Sequence, residues 1–361
     1  MPISKDSALA ALRTVMDPEL HRDLVSLDMV KDLAVDGTAV SLKVELTTPA
    51  CPLKDTIGKD VEAALKAAGA SSVKIAWGAQ VRSAPGVQQG QVAPGVKNII
   101  LVGAGKGGVG KSTVSINLAV SLAQTGAKVG ILDADIYGPS IPILTGLDER
   151  PTSVDGKRIS PLHAHGVSVM SIGFLIDPDQ ALIWRGPMAT GALLQLLRDV
   201  DWGELDYLVL DLPPGTGDIP LTLAQNVKAA GVVLVSTPQD VALADVIRAK
   251  LMFDKVNIPI LGLVENMSAF ICPHCSHETA IFDKGGAKKA AEKMGVRFLG
   301  EVPIDLAIRQ GGDQGVPVCA GAPESPQAMA FAAVARNVAG AVSQQVMKAP
   351  RLPVIGGQAR A

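Results

Sequence analysis

The chain has 361 residues, of which 48% are hydrophobic and 19% are charged, and its formal net charge is −2. A chain of this length is expected to form about two domains whose cores need no disulfides. The small net charge argues against sequence-independent binding of nucleic acid, and an aromatic content of 3% argues against base stacking.

The hydropathy pattern and the cysteine count bear on location. The first residues contain no long apolar run, so we expect no secretory signal. The longest apolar stretches have the length of a strand and are too short to cross a bilayer. Four cysteines are too few for a disulfide scaffold. We therefore predict a cytoplasmic protein with reduced thiols that binds neither membranes nor nucleic acid.

A small α+β domain is predicted over residues 1–83. A helix over 7–16 is expected to stop at Asp17-Pro18, because the residue before a proline is disfavoured in the α region. An Asp36-Gly37 turn between alternating apolar residues predicts a hairpin. The elements expected here are the helix 7–16, hairpin strands 30–35 and 39–45, a helix over 54–68 ended by Gly69, and a strand over 72–76.

A linker, a larger domain and a tail are predicted next. Residues 84–96 are rich in Pro, Gly and Gln without an apolar face, which predicts a flexible linker. Apolar strands alternate with helices over 97–348, which predicts an α/β domain with a mostly parallel sheet flanked by helices. The strands are expected at 98–103, 128–133, 207–212, 231–237 and 260–266, and residues 349–361 are expected to be a disordered tail.

A phosphate-binding loop opens the larger domain. Residues 105–113 match G-x-x-x-x-G-K-[ST] between an apolar strand and a predicted amphipathic helix ending at Gly126. Glycines let backbone N–H groups surround phosphates, and the helix N-terminus adds partial positive charge. Lys111 is expected at the β- and γ-phosphates of ATP, and the Ser112 hydroxyl at Mg²⁺. The predicted nucleotide-binding residues of the loop are Gly105, Lys106, Gly107, Gly108, Val109, Gly110, Lys111, Ser112 and Thr113.

Lys106 is a second lysine in the same loop. One lysine already neutralises the terminal phosphates, so the second can serve a nucleotide elsewhere, for example in a partner chain. The alternative interpretation is a solvated surface lysine.

Three aspartates follow predicted strands. Asp211 ends the apolar strand residues 207–211, and carboxyl ends of parallel strands face the ligand crevice, so we expect Asp211 in the outer shell of Mg²⁺. Asp133 and Asp135 end the preceding strand; one can orient the attacking water while the other caps a turn or helix. The loop 213–218 can sense the γ-phosphate.

The sequence Cys272-Pro273-His274-Cys275 is a C-x-x-C motif. Two thiolates at this spacing can bind one metal ion or one edge of a cluster. Because the chain has no second C-x-x-C, a symmetric dimer would complete a four-thiolate site. A zinc site within one chain, using His274 and His277 as well, is cramped; redox and structural roles remain alternatives.

The other two cysteines stand alone in the sequence. Cys51 precedes the predicted helix 54–68, and a helix N-terminus favours a thiolate, so Cys51 is a candidate transfer ligand. The alternative is simple burial. Cys319 has no nearby partner in the sequence and is interpreted as a buried structural residue.

Several motifs together resemble one family. GKGGVGKST is similar to the deviant Walker A motif of the superfamily that contains MinD and the nitrogenase iron protein. With DADIYGPSIP, DLPPGTGD, VENMS and CPHC, it resembles the Mrp/ApbC iron–sulfur carrier ATPases. Residues 1–83, with DPE and TTPACP, resemble the small iron–sulfur assembly domain fused to many of these proteins. The resemblance extends over residues 1 to about 345.

This resemblance implies a P-loop ATPase that works as a homodimer. It implies that Lys106 reaches the partner's nucleotide, that Asp135 handles the attacking water, and that Asp211 is the Walker B residue. It also implies that Cys272 and Cys275 hold a [4Fe–4S] cluster between protomers, and that apo iron–sulfur proteins and cluster scaffold proteins are partners. The implied catalytic residues are Lys106, Lys111, Asp135 and Asp211, and the implied base contacts are Asn266, Pro303 and Asp305.

Two other functions are alternatives to the iron–sulfur carrier. A positioning ATPase of the MinD/ParA type needs a membrane-targeting tail or a basic DNA-binding surface, and residues 349–361 form no amphipathic helix pattern. In a zinc- or redox-regulated ATPase, the C-x-x-C would bind Zn²⁺ or form a disulfide.

Overall fold

The computed structural model describes residues 3–18, 20–51, 53–84, 92–153, 156–176, 186–272, 274–275 and 277–348. The predicted tail 349–361 and most of the predicted linker lie outside these ranges. No helix in the described ranges combines the length and the apolar character that crossing a bilayer requires.

The first described elements form a small α+β unit. They are α1 (Lys5–Leu12), β1 (Met16–Asp17), β2 (Arg22–Asp23), β3 (Val30–Asp36), β4 (Ala39–Leu46), α2 (Lys54–Ala67) and β5 (Ser72–Ala79). Strand β4 pairs antiparallel with β3 and parallel with β5. Alternate residues of β4, such as Leu42 and Val44, face inward. They pack with Ile57, Val61 and Leu65, which form one stripe of α2, so a single core holds this unit together.

The prediction for the first helix is wrong at both ends. The helix begins at Lys5, because the hydroxyl of Ser4 accepts the backbone N–H of Ser7 at 3.0 Å and caps it. It ends at Leu12, well before Asp17-Pro18, because Met16 is already paired with the next strand. The hairpin is confirmed, but its loop is Gly37-Thr38, one residue later than predicted. Gly37 supplies the left-handed φ of +60° that this turn needs.

The larger unit begins at residue 96. Its elements are β6 (Val96–Ala104), α3 (Lys111–Gln124), β7 (Val129–Asp133), α4 (Ile141–Thr145), β8 (Leu162–Ala164), β9 (Val167–Ser171), a 3₁₀ turn (Ile172–Phe174), α5 (Gly186–Asp199), β10 (Leu205–Asp211), α6 (Asp218–Asn226), β11 (Gly231–Ser236), α7 (Asp240–Lys255), β12 (Ile260–Ile271), β13 (Glu278–Thr279), α8 (Gly286–Met294), β14 (Phe298–Ile304), α9 (Leu306–Asp313), α10 (Val318–Gly321) and α11 (Pro326–Lys348).

These strands form one mostly parallel sheet. Its order is β13-β12-β11-β6-β10-β7-β9-β8, and β14 also pairs with β12. The central strands β6, β7, β10 and β11 are parallel and buried on both faces, as the continuous apolar runs predict. All five predicted strands are confirmed, and the sequence reading missed β8, β9, β13 and β14. The phosphate-binding loop leaves the carboxyl end of β6, which lies between β10 and β11 in the sheet.

The helix after the loop was predicted to be amphipathic, but it is not. All residues of α3 from Val114 to Leu122 are buried, including Ser115, Asn117 and Ser121. The reason is that α3 packs against several strands of the sheet and also against the long helix α11, which itself contacts β12 and β14. Its polar side chains find partners in the backbone and on neighbouring elements; Asn117 Nδ2 donates to the backbone carbonyl of Thr113 at 2.9 Å, and the Ser115 hydroxyl donates to Asp211 at 2.6 Å.

The described ends of the predicted linker are packed. Ala84 and Ala93 are buried in the core of the larger unit, and the N–H of Ala84 donates to the carbonyl of Lys97 at 3.1 Å. The prediction of a flexible segment over all of 84–96 is therefore wrong at both described ends, where apolar side chains find the sheet. Residues 85–91 lie outside the described ranges.

A buried hydrogen bond joins the two units. The phenol of Tyr207, near the start of β10, donates to the hydroxyl of Thr48 at 3.0 Å, and both side chains are buried. Burial raises the pKa of Tyr207 to about 12, so the phenol remains a donor at neutral pH. Arg82 adds a second link, since its guanidinium donates to the carbonyl of Leu27 at 3.0 Å and its own carbonyl accepts a side-chain N–H of Asn98 on β6 at 2.9 Å. The small unit thus docks near the amino ends of the strands.

We expect Tyr207→Phe and Thr48→Val to be coupled in their effect on stability. Each change removes one partner of the same buried hydrogen bond, and such a bond contributes about 0.5–1.5 kcal/mol net. Urea unfolding of the two single variants and the double variant gives this coupling energy. Strictly additive effects would contradict the hydrogen bond as a link between the units.

Candidate functional site

The phosphate-binding loop is shaped by glycines with left-handed backbone. Gly108 and Gly110 have φ of +79° and +78°, and Gly110 is the residue from which α3 begins. A Cβ on Gly110 would lie 2.2 Å from Nδ2 of Asn266, so no larger residue fits there without displacing that amide. Gly105 packs against the backbone of Asp245 on α7, where a Cβ would lie 2.3 Å from its carbonyl carbon.

A cavity of about 550 Å³ opens beside this loop. This volume suits a nucleotide-sized ligand. Most of the predicted nucleotide residues line it, whereas Gly105, Val109 and Asp211 lie behind its wall. The predicted residues on the wall are Lys106, Gly107, Gly108, Gly110, Lys111, Ser112, Thr113, Asp135, Asn266, Pro303 and Asp305. Sequence reasoning missed Ile143, Leu144, Ile308 and Arg309, which also line it.

A buried ion pair lies at the base of the cavity. The Lys111 ammonium is 2.7 Å from Oδ1 of Asp211, and the two side chains are 6% and 0% exposed. Asp211 also accepts the hydroxyl protons of Ser112 at Oδ2 and of Ser115 at Oδ1, each at 2.6 Å. Asp211 therefore lies one hydrogen bond from the hydroxyl expected at Mg²⁺, which is outer-shell geometry. Ser115 was missed, although its position one turn after Ser112 places it on the same helix face.

The structure separates the roles of Asp133 and Asp135. Asp133 is fully buried, and its carboxylate accepts the N–H of Asp135 at 3.1 Å, the N–H of Ile141 at 3.0 Å and the hydroxyl of Ser171 at 3.2 Å. It therefore fixes the turn and the start of α4. Asp135 is half-buried on the cavity wall, and burial raises its pKa. Only Asp135 of this pair faces the space where a nucleotide fits.

Asn266 and the loop after β14 form another part of the wall. Asn266 Nδ2 donates to the carbonyl of Val109 at 2.8 Å, which ties β12 to the phosphate-binding loop. Asp305 caps α9, since its carboxylate accepts the N–H of Ala307 at 2.7 Å. Pro303 and Asp305 both reach the cavity.

Lys106 is half-buried and lines the cavity of its own chain. No ion pair among the described residues involves its ammonium. Lys106 therefore adds a second positive charge to the cavity wall, besides Lys111.

The C-x-x-C cysteines lie at the tip of a hairpin. Strand β12 pairs antiparallel with β13 through Phe270 and Ile271, and the N–H of Cys272 donates to the carbonyl of His277 at 3.0 Å. Hydrogen bonds from the backbone N–H of His274 and Cys275, and from the Cys275 side chain, lower the pKa of the Cys272 thiol. The hairpin tip therefore stabilises a thiolate, the form that binds metal.

The two thiols of this tip are accessible. Cys275 is exposed and Cys272 half-buried. Within the described part of one chain, no group of three or more His, Cys, Asp and Glu side chains could hold a metal ion.

The two remaining cysteines occupy different environments. Cys51 is half-buried against the core of the small unit, in the loop whose Thr48 contacts Tyr207. Cys319 is buried, as predicted, and burial raises its pKa to about 11. Its N–H donates to Asn117 Oδ1 at 3.1 Å, so it holds α10 against α3.

The stability of the folded chain is expected to depend on the titration of Asp133. Burial, together with the charge of Asp211, raises the pKa of Asp133 from 3.8 to about 7. The folded state then holds this proton more tightly than the unfolded chain, so the free energy of unfolding falls as pH rises from about 4 to about 7. Asp133→Asn removes the titration and should flatten this slope by up to about 1.4 kcal/mol per pH unit. Urea unfolding across this range measures it; equal slopes in both proteins would contradict the assignment.

Comparisons with known proteins agree on one family. A family model described as NUBPL iron-transfer P-loop NTPase matches residues 95–339, and one described as iron-sulfur cluster assembly protein matches residues 5–77. An iron-sulfur cluster carrier protein of Deinococcus radiodurans is 49% identical over 354 residues, covering 97% of this chain and 99% of the relative. One of Escherichia coli is 45% identical over 349 residues, covering 93% and 90%.

Solved structures show the same fold. A nucleotide-binding protein from Archaeoglobus fulgidus, solved with ADP, has a TM-score of 0.55 and 44% identity, and the match covers 61% of this chain and 87% of that one. The septum site-determining protein MinD of Pyrococcus horikoshii, solved with Mg-ADP, has a TM-score of 0.51 and 25% identity, covering 66% and 94%. From the family match and the identity over nearly the whole length, the chain belongs to the NUBPL-type iron-transfer P-loop NTPases, with an iron–sulfur cluster assembly domain ahead of the NTPase domain.

Proposed function

We propose that this protein is an ATP-dependent carrier that holds a [4Fe–4S] cluster between two chains and transfers it to apo-proteins. The observation that carries the proposal is that two features lie at the carboxyl ends of the strands of one sheet. They are a nucleotide-sized cavity and a hairpin tip that presents two accessible thiols. The carrier names of relatives that match nearly the whole chain support it.

The nucleotide half of the function rests on residues of the cavity. Lys111 and the loop N–H groups bind the terminal phosphates. Ser112 would hold Mg²⁺, with Asp211 supporting the Ser112 hydroxyl through its hydrogen bond, and the ion would supply positive charge for the phosphates. Asp135 orients the attacking water, and its raised pKa suits a residue that exchanges protons with that water.

The cargo half rests on Cys272 and Cys275. A [4Fe–4S] cluster takes four thiolates, and one hairpin tip provides two. Two chains related by a two-fold axis therefore complete the site, with the lowered pKa of Cys272 favouring the ligand form. Nucleotide binds at the carboxyl ends of the same strands, so it can change the distance between the hairpin tips of the two chains. A change in that distance would alter how well the cluster is retained.

The base end of the site is assigned to the loop after β14 and to Asn266. Asn266 would contact the adenine from the side of the phosphate-binding loop that it already braces. Pro303 and Asp305 would contact it from the α9 side. Cluster scaffold proteins upstream and apo iron–sulfur proteins downstream are the partners that this function requires. Cys51, on the small domain, remains a candidate transfer thiol.

Removal of either hairpin thiol should abolish cluster binding. After anaerobic reconstitution with iron and sulfide, the wild-type protein should show visible cluster absorption and about four iron atoms per pair of chains. Cys272→Ala and Cys275→Ala should lose both signals, because two thiolates per dimer cannot hold the cluster. The matched control is Cys319→Ala, which removes a buried thiol far from ligand chemistry and should keep the cluster.

Two outcomes would contradict this assignment. In one, the hairpin variants retain the cluster at the wild-type level. In the other, the isolated wild-type protein holds zinc and takes up no cluster, which favours the zinc-regulated alternative.

The partner role proposed for Lys106 can be tested by complementation. Lys106→Ala and Asp135→Ala should each lose ATP hydrolysis. In a mixed dimer, the Lys106→Ala chain keeps its own Asp135 and receives Lys106 from its partner, so one of two sites is complete. Random mixing gives half mixed dimers with half their sites active, so about a quarter of the wild-type rate should return.

The complementation separates the two interpretations of Lys106. If Lys106 acts within its own chain, each mixed site lacks one of the two residues and the mixture stays inactive. Full activity of Lys106→Ala alone would identify Lys106 as a solvated surface lysine.

A further inference from the structure

Two short helices in contact with each other line the nucleotide cavity. Helix α4 contributes Ile143 and Leu144, and helix α9 contributes Ile308, Arg309 and Gly312. The loop that carries Asp135 leads into α4, whereas α9 begins at Asp305, beside the proposed base-binding loop. The relative position of α4 and α9 therefore sets the distance between Asp135, proposed to orient the attacking water, and the proposed base-binding loop at Asp305.

The Asp135 loop is fixed at its start and end by one carboxylate. Asp133 accepts the N–H of Asp135 at 3.1 Å and the N–H of Ile141, the first residue of α4, at 3.0 Å. Within the loop, the N–H of Gly138 donates to the carbonyl of Asp135 at 3.3 Å. A displacement of α4 must therefore be transmitted to Asp135, since little of the loop is left to absorb it.

The far end of α4 meets the far end of α9 through two glycines, which we call the Gly146–Gly315 junction. Gly146 caps α4 at φ +68°, and Gly315 follows α9 at φ +71°. A Cβ on Gly315 would lie 2.3 Å from the Cα of Gly146 and 2.4 Å from its nitrogen. A Cβ on Gly146 would lie 3.3 Å from the carbonyl oxygen of Gly315. The two backbones are thus in direct contact, at a spacing that excludes a Cβ on Gly315 and is tight for one on Gly146.

A third element holds the junction from outside. His165, in the turn between β8 and β9, has its Nε2 2.9 Å from the carbonyl oxygen of Gly315 and donates to it. Strand β9 ends at Ser171, whose hydroxyl donates to Asp133 at 3.2 Å. The contacts close a ring that runs from Asp133 through α4, the junction, His165 and β9 back to Asp133.

We propose that Gly146, Gly315 and His165 are positioning residues that set Asp135 against the bound nucleotide for hydrolysis. They do not line the nucleotide cavity; they act by fixing the far end of α4, whose first residue, Ile141, is held by Asp133. The inference rests on the proposed ATPase function. It adds that the backbone contact between Gly146 and Gly315 keeps α4, which follows the Asp135 loop, at a fixed distance from α9, which follows the base-binding loop.

A graded set of glycine variants tests the proposal. Gly315→Ala forces the backbones apart and should lower the single-turnover rate of ATP hydrolysis about tenfold or more, since small misplacements of reacting groups are costly. Gly146→Ala is tight but less severe and should give a smaller loss. Gly295→Ala is the matched control, because it caps α8 in the same conformation (φ +64°) with no atom within 4 Å of its Cβ, so it carries the backbone strain without the contact. Its rate should equal that of the wild-type protein.

Further readouts separate positioning from general destabilisation. Affinity for a fluorescent ADP analogue should change less than about threefold in Gly146→Ala while the rate falls, because the phosphate-binding loop is untouched. His165→Ala should lower the rate, and His165→Gln, which keeps a side-chain N–H donor, should restore most of it. Hydrogen exchange of the backbone amides of residues 135–141 should be faster in Gly315→Ala and Gly146→Ala than in Gly295→Ala.

The outcomes distinguish this inference from the proposed function. If the wild-type protein binds ATP without hydrolysing it, the ATPase proposal fails. The hydrogen-exchange rates of residues 135–141 then show by themselves whether the Gly146–Gly315 junction fixes the Asp135 loop. Junction variants that hydrolyse ATP like Gly295→Ala, or that leave the exchange of residues 135–141 unchanged, overturn the positioning role.

Discussion

The Lys111–Asp211 ion pair is the interaction on which the nucleotide site depends. A buried lysine and a buried aspartate are each costly to desolvate, and they tolerate burial only as a pair with further hydrogen bonds. Ser112 and Ser115 supply those bonds, so three residues of α3 converge on the last residue of β10. This convergence fixes the start of α3 against the sheet, and with it the orientation of the loop N–H groups. The shape of the site thus follows from satisfying one buried carboxylate.

Secondary structure could be predicted where one physical cause dominates. The central strands are buried on both faces, so their apolar runs were sufficient evidence, and the phosphate-binding loop has a backbone requirement that its glycines display directly. Strand β14 and the pair β8 and β9 were missed because they lie away from the sheet centre and carry polar residues. The burial of α3 on all sides depends on α11, about 200 residues later. No local pattern reveals such a partner.

In the candidate site, too, some features could be predicted from the sequence and others required the folded chain. Spacing alone could not separate Asp133 from Asp135, because both follow the same strand; the separation depends on Ser171 and Ile141, which only the folded chain brings to Asp133. The walls formed by α4 and α9 also had no sequence signal, since Ile143 and Ile308 look like ordinary core residues. The hairpin thiols were visible in the sequence, whereas the hydrogen bonds that favour a Cys272 thiolate required the folded turn.

The docking of Thr48 on Tyr207 limits how close the Cys51 loop can come to the hairpin thiols of the same chain. Tyr207 lies near the amino end of β10, and the hairpin thiols follow the carboxyl end of β12 in the same parallel sheet. At about 3.3 Å per strand residue, roughly 30 Å or more separates the Cys51 loop from Cys272. Ligand exchange between thiolates requires that both touch the same iron atom. While Thr48 stays docked on Tyr207, Cys51 and Cys272 of one chain are therefore too far apart to bind the same iron atom.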